Sequence, residues 1–280
     1  SALPKCPVAP ATQQPVDLSG TGRGKSFQIL ADRPIVAYSI LPYGGGPSAA
    51  TSASLMLPTS AWDTNYIAVN AYPKSQVVPA AAPSLRVMAI HDGTEFTILP
   101  KAAIVGGSGV QGGPANQAIK YNLSKGEFIQ FSQDAELTGS PIQSNKPVGV
   151  WGGASCLNVP VTAAACDSAH QQIPPVKALG SEYVGVRYRN RKLAPGEESP
   201  PWRIVGAVDG TQLTYSPSAP PGAPASLQLG DVFEFNFAGP FVVRSQDSAH
   251  PFYISQYMTG AGHIGGAGEG DPEWVNMIPS

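Results

Sequence analysis

From Phe27 onward, apolar positions alternate with polar ones or gather in short β-branched and aromatic bursts: FQIL, PIVAYSIL, YIAVNAY, LRVMAI, EFTIL, IKYNL, EFIQF, PVGVW, YVGVRY, WRIVGAV, QLTY, VFEFNF, FVVRS and FYISQY. Each burst is bounded by Gly, Pro, Asp or Asn, the pattern of strands in an all-β protein. Helical spacing is confined to Ala163–Gln172, where one short helix is expected, and Leu55–Trp62, where apolar density leaves the state open. Asp92-Gly93 and Asp209-Gly210 supply the positive φ of tight turns, which predicts LRVMAI antiparallel to EFTIL and WRIVGAV antiparallel to QLTY. The Gly/Pro/Ala-rich segments 72–84, 101–117 and 216–226 read as surface loops.

The landmarks between these bursts recur. Ala31-Asp32-Arg33-Pro34 before IVAY resembles Ser144-Asn145-Lys146-Pro147 before VGVW and, more loosely, Ser248-Ala249-His250-Pro251 before FYIS. Pro58 and Tyr66 have partners 117 residues on at Pro175 and Tyr183, and so do Asp92-Gly93-Thr94 at Asp209-Gly210-Thr211. Gly126-Glu127, Pro147 and Pro175 have partners 104 residues on at Gly230-Asp231, Pro251 and Pro279. Fixed offsets across independent landmarks predict tandem related antiparallel β-sandwich-like units, with a propeller-like arrangement of four-stranded sheets as the alternative. On this reading residues 1–26 are an extended Pro/Gly-rich leader, 27–135 a first unit, 136–240 a second, and 241–280 the start of a third, truncated one. The chain is then expected to be a piece of something longer.

Composition narrows the function. Lys+Arg 17 against Asp+Glu 19, a net charge of −2 and a charged fraction of only 13% disfavour nucleic acid and anionic membrane as partners. No apolar run approaches the roughly 20 residues that cross a bilayer, so no membrane insertion is expected. The chain shows no charged-then-apolar leader, so it is either cytosolic or separated from its export signal. Cys156 and Cys166 lie ten residues apart across a Pro/Ala-rich loop that a hairpin-like disulfide can close; three free thiols, Cys6 included, are the alternative. Few lysines, many small residues and the possible bridge favour a secreted or cell-surface protein.

Candidate chemistry is sparse. Gly20–Ser26 (GTGRGKS) has the wrong glycine spacing for a phosphate loop and is followed by a strand pattern instead of a helix. Ser168 and His170 beside Asp167 are the nearest thing to a hydrolytic set, but no nucleophile-elbow motif accompanies them. Cys166 and His170, four apart, would share a face of a helix, but pairing of Cys166 with Cys156 explains the same residues without catalysis. No catalytic residue and no organic cofactor is assigned. His91, His170, His250 and His263 are too scattered for zinc; calcium is the one metal considered, through Asp247, Glu269 and Asp271. Ligand contacts are assigned to Tyr43 and to Arg187, Arg189 and Arg191, read as one face of a strand with Val186, Tyr188 and Asn190 on the other. Trp62, Trp151, Trp202 and Trp274 are expected in the core or between units.

The pattern I-x-S-x-K-P-V-x-V at Ile142–Val150, the prolines leading to Gly180-Ser181-Glu182-Tyr183, and the segments PPWRIVGAVDGT (200–211), SQDSAHPFYISQYMTG (245–260) and GDPEWVN (270–276) together resemble the N-terminal region of the IgG-Fc-binding protein family, in its bacterial branch. The resemblance covers most of the chain from Phe27. It implies an extracellular β-rich module for adhesion or binding of protein or glycan, without catalytic residues to carry over. A self-assembling surface protein, pairing with further repeats of its own full-length chain, is the second reading. Gly270-Asp271-Pro272-Glu273 departs from the family's self-cleavage motif by Glu273 in place of His.

Overall fold

The computed structural model describes residues 8–9, 18–41, 52–191, 197–264 and 270–280. Its strands are β1 (Gly22–Lys25), β2 (Ala37–Leu41), β3 (Ser52–Met56), β4 (Asp63–Ile67), β5 (Pro83–Ala89), β6 (Thr94–Ile98), β7 (Ile119–Leu123), β8 (Glu127–Ser132), β9 (Pro141–Leu157) and β10 (Asp167–Ile173). They continue with β11 (Glu182–Gly185), β12 (Pro201–Gly206), β13 (Thr211–Ser216), β14 (Ser226–Leu227), β15 (Val232–Asn236), β16 (Phe241–Ser245), β17 (Phe252–Met258) and β18 (Glu273–Asn276). Helix among the described residues amounts to two single 3-10 turns, Thr59–Ala61 and Val176–Ala178, and α1 (Ala261–Ile264).

The first group of strands turns on β9. Its first half lies between β4 and β6, with Ile142 opposite both Tyr66 and Ile98, and β7 beyond β6. Its second half lies between β5 and β10, with Val150 opposite both Val87 and Ile173, and β8 then β1 beyond β5. One strand therefore serves two layers. Tyr66, Phe96, Ile98 and Ile142 from one layer meet Leu85, Val87, Ile129, Phe131 and Val150 from the other in a buried core, each such side chain stabilising the fold by about 1.5–3 kcal/mol. In the second group, sheet β11–β16–β13–β14 faces sheet β15–β12–β17–β18 across Tyr183, Trp202, Ile204, Leu213, Phe235, Phe241, Val243, Phe252 and Ile254. These are sandwich-like layers closed over a core, not propeller blades.

The pairing in the two groups is the same in register. Val87 lies opposite Val150 and Ile129, and Ile204, 117 residues on, lies opposite Ile254 and Phe233, each 104 residues on. Gln172 pairs with Trp151, and Asn276 pairs with Ser255. The turns agree as well. Asp92 Oδ1 accepts from the Lys125 N–H at 2.8 Å and Asp209 Oδ1 from the Leu229 N–H at 2.8 Å, while Asn145 and Gln246 cap the backbone of Glu95 and Gln212 at 2.8 Å each. The groups differ where the chain changes layers. The first crosses within one continuous strand, whereas the second breaks into β16 and β17.

Several expectations are corrected here. Ala163–Gln172 is not a helix: Asp167–Ile173 pairs with β9, whose long free edge offers more backbone hydrogen bonds than an isolated turn. FQIL forms no strand, and Leu55–Trp62 divides into the end of β3 and a 3-10 turn. By hydrogen bonding, β9 and β10, beyond residue 135, join the first group, and β16, β17 and β18, within residues 241–280, join the second. The sequence landmarks mark loops and turns, and a landmark repeats equally well wherever the cut between units is made.

The sheet β15–β12–β17–β18 is covered on both faces. Trp202 and Ile204 enter the second core, while Val205, Tyr253, Tyr257 and Trp274, on the opposite face, join the core of the first group. That is why β12 and most of β17 read as unbroken buried runs instead of alternating. Backbones approach closely at this seam: a Cβ on Gly152 would stand 1.9 Å from the Val69 carbonyl oxygen, so only glycine fits.

Candidate functional site

A groove of about 550 Å³ opens between the outer face of β4, β9 and β6 and the second group. Strand register places Asn65 opposite Gln143, and Gln143 opposite Thr97, so amide, amide and hydroxyl stand in one row across three adjacent strands. One pleat away run Ile67, Pro141 and Leu99, an apolar row on the same face. Lys177, bonded to Asp63 at 3.3 Å, stands at one end beside Val176, with Ala207 and Leu229 on the other wall. The row holds donors and acceptors in a shallow trough beside an apolar strip, a lining suited to an extended polypeptide segment.

The seam behind the groove is held by charge as well as by apolar packing. Arg203 donates two hydrogen bonds to Glu136, at 2.9 and 3.1 Å, and lies 3.6 Å from Glu234. Tyr72 donates to Glu234 at 2.6 Å, its ring lies under the Arg203 guanidinium, and it packs on Tyr257 at 4.9 Å. Burial alone would lower the Arg203 pKa, but the surrounding tyrosine and carboxylate oxygens outweigh it and hold the guanidinium firmly charged. Burial and Glu234 together drive the Tyr72 phenol well above its usual range.

The structure does not place the three arginines predicted as ligand contacts on one strand face. β11 ends at Gly185, short of all three arginines. Arg187 bonds to Glu197 at 3.2 Å and to the Ala238 carbonyl at 2.9 Å, and Arg189 is exposed. Arg191 is buried against Glu198, Tyr188 and Thr259. Burial disfavours the Glu198 charge, yet hydrogen bonds from Arg191, Tyr188 and Thr259 keep its pKa below the ordinary value. A lone buried arginine needs a carboxylate, and the alternation of 187, 189 and 191 fails because the chain is no longer a strand. Tyr43, Cys6 and Glu269 lie outside the described residues.

Of the calcium candidates, Asp247 caps its own turn through the Ala249 N–H and the His250 ring, at 2.9 and 2.7 Å, and Asp271 is exposed ahead of β18. Among the described residues no group of three His, Cys, Asp or Glu is placed to hold a metal ion. Ser168 and His170 share a face of β10, and His170 Nδ1 lies 3.3 Å from Ser52 Oγ beneath β3. Burial, and secondarily Arg86, lower the His170 pKa. Cys156 and Cys166 form a disulfide, Cα–Cα 5.2 Å, across the mouth of the β9–β10 hairpin. No sequence signal points to the groove row, although Gln143 lies within the Ile142–Val150 pattern; only register brings Asn65, Thr97 and Gln143 together.

No described helix is long and apolar enough to cross a membrane. The fold and the bridge define a disulfide-bonded, all-β protein. The family described as IgGFc binding protein matches residues 52–280, and the chain belongs to that family. A curated human relative, IgGFc-binding protein, is 29% identical over 122 residues, 44% of this chain and 2% of the relative's own length. The chain thus spans a small fraction of that protein. No solved structure matches.

Proposed function

We propose that the chain is a non-catalytic extracellular module, built from two copies of one sandwich unit, that holds an extended segment of a protein partner in the groove at their junction. The observation that carries the reading is the Asn65–Gln143–Thr97 row beside the apolar Ile67–Pro141–Leu99 strip, in a member of the IgGFc binding protein family. The copies are divided near Pro174-Pro175, with β4–β10 in one and β11–β18 in the other, as the hydrogen-bonding register supports. A disulfide fits an oxidising compartment outside the cell. Adhesion through a glycan is the competing reading, but sugar rings stack on exposed aromatic faces, and the one aromatic residue lining the groove, Tyr66, is buried. The name of the human relative makes the immunoglobulin Fc the first ligand to try.

The test is interferometry on Fc, Fab and a panel of secreted proteins, run beside a glycan array, with the chain and its Gln143→Trp variant. A protein ligand that loses at least about tenfold in affinity, 1.4 kcal/mol, to Gln143→Trp at unchanged melting temperature supports the groove. Binding indifferent to Gln143→Trp, or confined to the glycan array, overturns it.

A further inference from the structure

The β2–β3 hairpin stands out as the apolar part of the chain that nothing in the described structure covers. On the hairpin Tyr38, Ile40, Leu41 and Leu55 are exposed, as are Ile35 and Val36 just ahead of it, and among the described residues β2 pairs with β3 alone, leaving its other edge open. That edge, AYSIL, carries no charge and no proline, the usual protections of a free strand.

Register shows what this hairpin is. Pro34, Pro147 and Pro251 precede β2, the second half of β9, and β17. Counting from those prolines, Tyr38, Trp151 and Ser255 are equivalent, and they pair with Leu55, Gln172 and Asn276, which are themselves spaced by the recurring 117 and 104 residues. The hairpins β2–β3, β9–β10 and β17–β18 are thus one element in three places. In the latter two, the strand after the proline has β5 or β12 along its other edge. In the first it has no such neighbour, and the difference shows in the residue after the proline: Ile35 is 57% exposed, whereas Val148 and Phe252 are 0% exposed.

The same elements meet on the other side too, through different hydrogen bonds. β3 lies against β10 through Ser54 to Gln171 at 3.4 Å and the Leu57 N–H to Gln172 at 2.7 Å. β10 lies against β18 through the Asn276 amide to the Gln172 carbonyl at 2.9 Å. β3 thus stands to β10 as β10 stands to β18.

We infer that the open edge and exposed face of β2–β3 take the strands of a further unit of this same fold, with a strand of the β5/β12 kind hydrogen-bonded along β2 so that its counterpart of Val87 and Ile204 lies opposite Ala37. The inference rests on the reading of the chain as copies of one unit. It assigns the hairpin as the closing element of a neighbouring sandwich, which makes units interlock instead of following one another as separate beads.

The experiment joins a copy of residues 58–140, which holds β4–β8 but lacks β9 and β10, to the N-terminus of the full chain through a flexible Gly/Ser linker, so that the effective concentration is high. Amide exchange is followed by NMR in the chain alone and in the fusion. In the chain alone, protection along Val148–Ala154 and Phe252–Met258 should match position by position, and the β2 amides not facing β3 should exchange freely. In the fusion those β2 amides should slow by at least about tenfold, as expected of amides bonded within a sheet, and binding of an apolar dye should fall. Tyr38→Lys with Ile40→Lys should abolish both changes while leaving exchange in β4–β18 as it was. Unmatched patterns in β9 and β17 would sink the reading of copies. Matched patterns with β2 still open in the fusion, whether or not the added segment folds, overturn the interlocking alone.

Discussion

The Tyr66 hydroxyl donates to the carbonyl of Val148 at 2.7 Å and accepts from the N–H of Asp63 at 3.1 Å. Val148 is the residue at which β9 passes from one layer to the other, so a single buried phenol ties the start of β4 to the crossing point of the fold. Tyr183 repeats the arrangement with Phe252 at 2.8 Å and Gly180 at 2.9 Å. Burial pushes both hydroxyls up to about 12, so they stay protonated as donors across the working pH range.

Removing either hydroxyl strands a backbone carbonyl in a dry site. Tyr66→Phe and Tyr183→Phe should each destabilise by about 1–3 kcal/mol, seen as a lowered urea midpoint with an unchanged slope. A loss at one position with none at the other would contradict the equivalence of the two sites.

The disulfide closes a short loop in the unfolded chain, and the chain-entropy relation gives about 2–3 kcal/mol for the ten-residue separation of Cys156 and Cys166. Cys156→Ser with Cys166→Ser should lower the melting temperature accordingly, and reductant should bring the parent chain to the same value. A parent chain indifferent to reductant would show that the bridge adds nothing to stability.

Arg203 is the charge on which the seam depends. Arg203→Ala leaves the partly exposed Glu136 and Glu234 facing one another with no cation between them and should cost about 1–3 kcal/mol. Arg203→Met combined with Glu136→Gln and Glu234→Gln should recover much of that, because the facing charges are then gone together. Calorimetry distinguishes the cases, and a triple variant no more stable than Arg203→Ala would refute the electrostatic account.

Glu273, at the start of β18, has its pKa raised from 4.5 to about 7, first by burial and then by the charge of Asp167, against a hydrogen bond from the Trp274 N–H. Its folded pKa lies above its unfolded one, so the folded state holds the proton more tightly. The associated stability is present in full below about 4.5 and is lost as pH rises through 7. Glu273→Gln should flatten the fall in stability between those pH values and be more stable than the parent at pH 8. An unchanged pH profile in urea titrations would remove Glu273 as its origin.

The all-β class was legible because Leu, Val, Ile and Phe in FIQF, FEFN and LRVMA gather in short runs between turn residues whose geometry is local. The 117- and 104-residue spacings were legible for the same reason, since Asp92-Gly93 and Asp209-Gly210 need positive φ wherever they occur. The Ala163–Gln172 segment was not, because small polar residues suit a helix until β9 presents an edge. The arginine series misled because Tyr188 to Arg191 looks like a strand, while a buried carboxylate, Glu198, decides where Arg191 goes.

By itself the sequence determined the all-β class, most of the strands and the turns, and allowed a bridge between Cys156 and Cys166, since each depends on residues near one another along the chain. Only the tertiary structure decided which strands share a sandwich, that one sheet is buried on both faces, and that Asn65, Gln143 and Thr97 line one trough. Those follow from register and layer contacts between residues far apart in the chain, as Tyr72 and Tyr257 are, and no local pattern of side chains encodes them.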